Sequence, residues 1–231
     1  RHIPHPRIRA ISLMSNALTR AEGRANLRPV PIESDVLVIG SGIAGLVVAL
    51  RCAQRGSVAL VTKDRLPESS SQYAQGGIAS VWSPDDSIES HVEDTLVAGA
   101  GLCHPDIVEL VVREGPDRVR DLIALGVPFD RTPDGALAQS LEAAHSRPRV
   151  VRVSGDLAGK AIMDALIAAA RAAPHIDIVE RKRARALLRD ANGRVCGVLC
   201  DGDETFLGNQ VILATGGIGK DNDWTLTIVR T

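Results

Sequence analysis

Apolar residues in this chain gather into short runs separated by glycine, proline and charge. Asp35-Val-Leu-Val-Ile39 reads as a buried strand, and so does Val211-Ile-Leu-Ala-Thr-Gly-Gly217, which ends in small residues. Val58–Thr62 and Ile176–Glu180 read as further strands. Arg183–Leu188 and Arg194–Cys200 flank Asn192-Gly193, a hairpin signal, and Phe206 starts a short strand after the Asp201-Gly202 turn. Four stretches carry helical spacing. The first runs over 43–54. The second covers 86–98, with Ile88, Val92 and Leu96 on one face and acids at its start. The third begins at Pro105, breaks at Gly115-Pro116, resumes to Leu125 and stops at Gly126. The fourth, 156–172, takes its cap from Ser154 or Asp156. Residues 63–84 form a long loop, and 129–153 are loop and short strand. No internal repeat is present. The order is strand–helix–strand, a long insertion, a helix–strand pair, a hairpin and a closing strand. It predicts an α/β fold with a parallel sheet and a β-hairpin insertion.

The strand at 35–39 runs straight into Gly40-Ser41-Gly42-Ile43-Ala44-Gly45 and then a helix. A G-x-G-x-x-G loop carries meaning only in this strand–turn–helix setting. There Gly40 permits the tight turn, Gly42 lets backbone approach a pyrophosphate, and Gly45 lets helix and strand pack closely. The helix N-terminus offers amides and a positive dipole end to the phosphates. About 25 residues on comes Ser69-Ser70-Ser71-Gln72-Tyr73-Ala74-Gln75-Gly76-Gly77-Ile78-Ala79. A nicotinamide-binding domain has no need of such a loop, and the two loops together point to FAD in a Rossmann-like FAD-binding domain.

Composition narrows the partners. With 231 residues, 45% hydrophobic and 24% charged, the chain suits one sizeable soluble α/β domain, or one domain and part of another. A formal net charge of −1 argues against nucleic acid as the main partner. Apolar runs end well before the ~18 residues a membrane span needs. Cys196 and Cys200 share one face of a strand, but no second Cys or His pair stands nearby, so free thiols are the reading rather than a zinc pair, and no metal is expected. Residues 1–34 hold six Arg and only Glu22 and Glu33 as acids. They read as a disordered basic tail, as sequence upstream of a start at Met14, or as an organellar transit peptide.

Gly40–Gly45, Tyr73-Ala-Gln-Gly-Gly-Ile-Ala79, Ser90-His-Val-Glu-Asp-Thr-Leu96, Ala98-Gly-Ala-Gly-Leu102 and Ala214-Thr-Gly-Gly217 together resemble the L-aspartate oxidase family of the fumarate reductase/succinate dehydrogenase flavoproteins. The likeness covers residues 35–219. It implies that Ser41, Gly42, Ile43 and Ala44 hold the FAD pyrophosphate. Lys63 matches a family lysine at the adenosine part, where many dinucleotide folds carry an acid; the alternative is a solvated loop lysine. Ser70, Ser71, Gln72, Tyr73, Ala74, Gln75, Gly76 and Gly77 would wrap the isoalloxazine; the alternative is a mobile polar connector. Membrane-bound relatives carry a covalently linked histidine at the position of Ser70. Serine cannot form that link, so FAD is expected to be noncovalent.

Leu141-Glu142-Ala143-Ala144-His145-Ser146-Arg147 corresponds to Arg-Glu-Gly-Gly-His-Ser-Arg of the family. Glu142 matches the acid that favours aspartate over succinate, because only aspartate brings an α-ammonium; the alternative is a surface glutamate at a helix end. A charge-assisted hydrogen bond of this kind is worth roughly 1.5–3 kcal/mol. His145 is expected to be structural or flavin-adjacent, and His91 and His104 surface or cap residues. The family reaction is L-aspartate plus oxygen giving iminoaspartate and hydrogen peroxide, with fumarate as another acceptor. It opens NAD synthesis in the cytoplasm, and quinolinate synthase takes the product. After Gly219 the likeness stops: 220–231 read as a divergent tail, and the family's capping and C-terminal helical domains are expected to be missing. A soluble fumarate reductase-like dicarboxylate oxidoreductase and a noncatalytic FAD-binding fragment are the alternatives.

Overall fold

The structure, a computed structural model, describes residues 31–216. The expectations for the basic N-terminal stretch up to residue 30 and for the tail after Gly219 therefore lie outside the described residues. β1 (Ile32–Ile39), β2 (Val58–Val61), β6 (Ile176–Val179) and β9 (Thr205–Leu213) run parallel. β8 (Val195–Cys200) lies antiparallel to β9, and β7 (Ala184–Arg189) closes the sheet, in the order β6-β2-β1-β9-β8-β7. β3 (Ile78–Ala79), β4 (Gln139–Ser140) and β5 (Val150–Val151) form a small antiparallel sheet of their own within the insertion. This is the α/β plan that the sequence predicts, hairpin included.

Alternation along the central strands separates two cores. Val38, Val58 and Leu60 face α1 (Ile43–Cys52) and α4 (Ala158–Ala172). Leu37, Ile39, Ala59 and Val61 face the other way, onto Ala184, Val198, Cys200 and Phe206. Strand side chains alternate between faces, so a one-residue slip would exchange the two sets. α4 buries Ala158, Gly159, Ile162, Met163, Leu166, Ile167 and Ala170, one unbroken stripe at helical spacing. Each large apolar side chain in such a stripe contributes about 1.5–3 kcal/mol relative to exposure.

Several boundaries depart from expectation. β1 begins at Ile32 rather than Asp35, because its first residues find backbone partners in β9, Ile32 opposite Phe206 and Ser34 opposite Gly208. The two strands expected around Phe206 and Val211 are one strand, β9, whose first part pairs with both β8 and β1. α3 (Pro105–Ala124) is a single helix through Gly115-Pro116. Pro116 forgoes one backbone hydrogen bond, yet Val112 and Val119, a turn to either side on the same face, are both buried and hold the halves in line. α4 has Leu157 at its N-cap with no side-chain cap, so neither Ser154 nor Asp156 serves. The Asn192-Gly193 loop closes as Gly193 N–H to Asp190 O at 3.0 Å with Gly193 at φ 81°.

α2 (Ile88–Ala98) is capped by Ser87, whose hydroxyl accepts from Ser90 N–H at 3.1 Å. Its buried residue is His91, only 6% exposed, so the expectation of a surface or cap role for that histidine fails. His104 is the N-cap residue of α3. The four cysteines are free thiols, and burial pushes Cys200 up to about 11. Among the described residues no group of His, Cys, Asp and Glu could hold a metal ion, and no helix is long and apolar enough to cross a membrane.

Candidate functional site

β1 stands between β2 and β9, and the three strands end level, Ile39 opposite both Val61 and Leu213. In open α/β sheets ligands bind beyond the carboxyl ends of the strands. Here the chain leaves β1 through Gly40 at φ 110°, where an added Cβ would meet Ala214 O at 2.2 Å. A Cβ on Gly45 would meet Gly40 O at 1.9 Å, so α1 packs against the turn with nothing between. Gly42 is the N-cap of α1, with no side-chain cap and no acid in the first turn. That leaves its dipole end unopposed by any acid of its own first turn. Ser41 Oγ donates to Thr62 Oγ1 at 2.8 Å in the interior and ties the turn to the end of β2.

The second loop closes over this point. Ser70–Tyr73 make a short 3-10 turn capped by Ser69, and Ser71 Oγ would lie 3.6 Å from a Cβ on Gly42. Gly159, in the first turn of α4, supports the loop from beneath: a Cβ there would meet Ser71 O at 2.4 Å and Ala74 O at 2.5 Å. Gly76 has φ 82°, and a Cβ on Gly77 would meet Val151 O on β5 at 2.2 Å. A cleft of about 340 Å³ results. Gly40–Gly42, Thr62–Asp64, Glu68–Ser71 and Tyr73 line it, together with Lys182, Ala184 and Ala214–Gly216. Lys182 is held there by Glu204 at 2.5 Å and by its own N–H to Thr62 O at 2.9 Å.

The donor set suits a flavin dinucleotide. The uncapped α1 N-terminus fits a pyrophosphate. Ser70, Ser71 and Tyr73 of the second loop stand in the same cleft as this N-terminus, and Gln72 Oε1, behind them, is buried with no hydrogen-bond partner among the described residues.

Glu142 lies apart, on the connection between β4 and β5. Its carboxylate pairs with Arg152, which also donates through Nε to Ser140 Oγ at 3.0 Å. His145 N–H closes a turn onto Glu142 O at 3.2 Å, with Ala144 at φ 68°.

A model of the FAD binding domain family matches residues 35–230. The chain belongs to this family. As an FAD-binding domain it is 52% identical over 189 residues to the L-aspartate oxidase of Caulobacter vibrioides, covering 79% of this chain and 37% of that one. It is 45% identical to the L-aspartate oxidase of Streptomyces coelicolor, covering 82% of this chain and 34% of the relative. The chain thus spans about a third of the length of the curated relatives it matches. Among solved structures it superposes on E. coli quinol fumarate reductase at TM-score 0.76 and 29% identity, over 82% of this chain and 33% of that one. A Mycobacterium smegmatis Sdh1 structure gives 0.73 and 32%, over 81% and 34%.

Of the cofactor residues expected from sequence, Gly40, Ser41, Gly42, Lys63, Ser70, Ser71 and Tyr73 line the cleft of this FAD-binding domain. Ile43, Ala44 and Gly45 stand behind it in the first turn of α1, and Gln72, Ala74, Gln75, Gly76 and Gly77 lie among the remaining residues of the second loop. Glu142 does not line the cleft. Sequence reasoning gave no role to Thr62, Asp64, Glu68, Lys182, Ala184 and Thr215, whereas Ser69 belongs to the second loop it singled out. Ala214-Thr-Gly-Gly217 follows a buried strand just as the first glycine loop does, and that parallel was the available signal. Lys182 has none, since only the pairing of β2 with β6 brings it in.

Proposed function

We propose that this chain is the FAD-binding portion of an L-aspartate oxidase, holding the cofactor noncovalently. The reaction is L-aspartate plus oxygen giving iminoaspartate plus hydrogen peroxide, with fumarate as an alternative oxidant. Two electrons leave as a hydride from Cα, the amine gives up a proton, and oxygen takes both electrons and two protons. Bound FAD supplies the two-electron acceptor. Ser41, Gly42 and the first turn of α1 hold its pyrophosphate, and Ser70, Ser71 and Gln72 hold its ring. Lys63 and Lys182 stand at the adenosine end. Glu142 receives the α-ammonium of aspartate and so sets the preference over succinate. The product passes to quinolinate synthase in NAD synthesis, in the cytoplasm; plant relatives are named chloroplastic.

One observation carries this reading. Gly77, at the end of the second loop, approaches the backbone of β5, and Arg152, which follows β5, pairs with the carboxylate of Glu142. The loop proposed to hold flavin and the acid proposed to meet substrate therefore both flank one small sheet, which supports the reading. The test is the visible spectrum of the chain incubated with FAD, desalted, and mixed anaerobically with substrate. We expect a retained flavin band that L-aspartate bleaches and succinate does not. Glu142→Gln should keep the band and slow bleaching by about 10–100-fold, the equivalent of one charge-assisted hydrogen bond. Bleaching by succinate instead would mark a dicarboxylate oxidoreductase, and a band that neither bleaches would mark a noncatalytic cofactor unit.

A further inference from the structure

The turn that carries Glu142 is fastened to α2 by a charge cluster with no part in the cofactor cleft. Arg149, just before β5, is fully buried. Its Nε and Nη2 donate to the two oxygens of Asp86 at 2.6 and 2.7 Å, and Nη2 also donates to Ser90 Oγ at 2.9 Å. Its Nη1 donates to Asp94 at 2.5 Å and faces His145 Nδ1 at 3.4 Å. A guanidinium only donates, so His145 Nδ1 accepts and its proton sits on Nε2. Asp94 closes the ring: it accepts both the backbone N–H and the hydroxyl of Ser146, each at 2.7 Å. The Ser146 amide, Arg149 and the Ser146 hydroxyl hold its carboxyl far below the ordinary range.

The sequence of ties matters. Asp94 grips Ser146, His145 N–H grips Glu142 O, and Ala144 between them sits at φ 68°, a conformation that L residues avoid. Burying an arginine with two carboxylates carries a large desolvation cost. Strain and buried charge concentrated on one turn motivate a functional reading. We propose that Asp94 and Arg149 are positioning residues, which hold the Glu142–Ser146 turn against α2 and so place Glu142, whose carboxylate Arg152 orients, for the substrate ammonium. The inference rests on the role of Glu142 given above.

Succinate separates positioning from general loosening, because it has no ammonium to meet Glu142. In the FAD-loaded chain, Asp94→Asn should raise the apparent KM for L-aspartate about tenfold and move the succinate inhibition constant less than twofold. FAD affinity should stay within twofold. The amides of His145 and Ser146 should exchange with solvent at least tenfold faster while those of α4 stay protected. Imidazole 15N shifts should show His145 in its Nε2-protonated form in the FAD-loaded wild-type chain, as acceptance from Arg149 requires. Ser146→Ala, which keeps the backbone tie and cannot unfold the cluster by leaving buried charge, should shift the aspartate KM two- to threefold in the same direction. Equal changes for aspartate and succinate, or unchanged exchange at Ser146, would overturn the proposal. A wild-type chain that holds FAD yet bleaches with neither substrate would overturn the role of Glu142 and this one with it, whereas loss of the KM difference in the variants alone leaves the role of Glu142 intact.

Discussion

His91 shows what one side chain costs when its surroundings come from far along the chain. Burial lowers its pKa below the ordinary 6.5, the charge of Arg149 lowers it further, and Asp86 and Asp94 oppose them without winning. The unfolded chain therefore binds this proton more readily than the folded one. The stabilisation is complete above the unfolded value near 6.5 and is lost as pH falls from there toward the folded value. Asp94 has the same sign in a lower window: its contribution is complete above about 3.8 and is lost only below it. Denaturant midpoints should therefore fall between pH 7.5 and 5.5. His91→Phe, which keeps a ring against His145, should flatten that slope and leave the fall below pH 4. An unchanged slope in the variant would show that His91 is not its source. Ala144 offers a simpler account. Glycine stands there in the family pattern, and this chain pays for a Cβ at φ 68°. Ala144→Gly should stabilise by about 1 kcal/mol, the left-handed penalty less the added freedom of the unfolded chain, read from chemical denaturation at pH 7.

Elements were legible where local pattern and tertiary demand agree. The apolar stripe of α4 is periodic in the sequence, the apolar runs of β2 and of the end of β1 are continuous, and all are buried in the fold. The failures share a cause. Pro116 signals a break locally, but burial of Val112 and Val119 on one face outweighs a single lost hydrogen bond. His91 and Asp94 turn inward from α2 because Arg149 lies beneath them, and Arg149 is more than fifty residues away. Gly159 puts local and tertiary demands in direct contest. Alanine would favour the helix by about 1 kcal/mol, yet its Cβ would stand 2.4 Å from Ser71 O and 2.5 Å from Ala74 O. Backbone cannot give way as a flexible side chain does, so Gly159→Ala should weaken FAD binding at least tenfold, with a smaller loss of global stability. FAD titration beside thermal melting would separate the two, and unaltered FAD affinity would show that α4 does not brace the loop.

On the scale of the whole molecule, the cleft joins positions 40, 62, 182 and 214, which meet only when β1, β2, β6 and β9 are all in register. The glycine loop was legible because strand, turn and helix are contiguous there, whereas Lys182 enters through long-range pairing that no local spacing records. The same geometry makes the cofactor a fold-wide ligand. FAD that binds the folded chain and not the unfolded one stabilises it by RT ln(1 + [FAD]/Kd), about 2.7 kcal/mol at a hundredfold excess over Kd. Melting temperature should therefore climb with the logarithm of FAD concentration. Serine at position 70 adds a second condition: with no covalent link, exhaustive dialysis against free-flavin scavenger should return the melting temperature to that of the untreated chain. Acid precipitation should likewise leave the flavin in the supernatant. A melting temperature that rises and then stays up after dialysis, with flavin in the pellet, would mean a covalent bond at some residue other than Ser70. No rise at all would mean that the strand ends and the Ser70–Tyr73 turn do not hold the dinucleotide together.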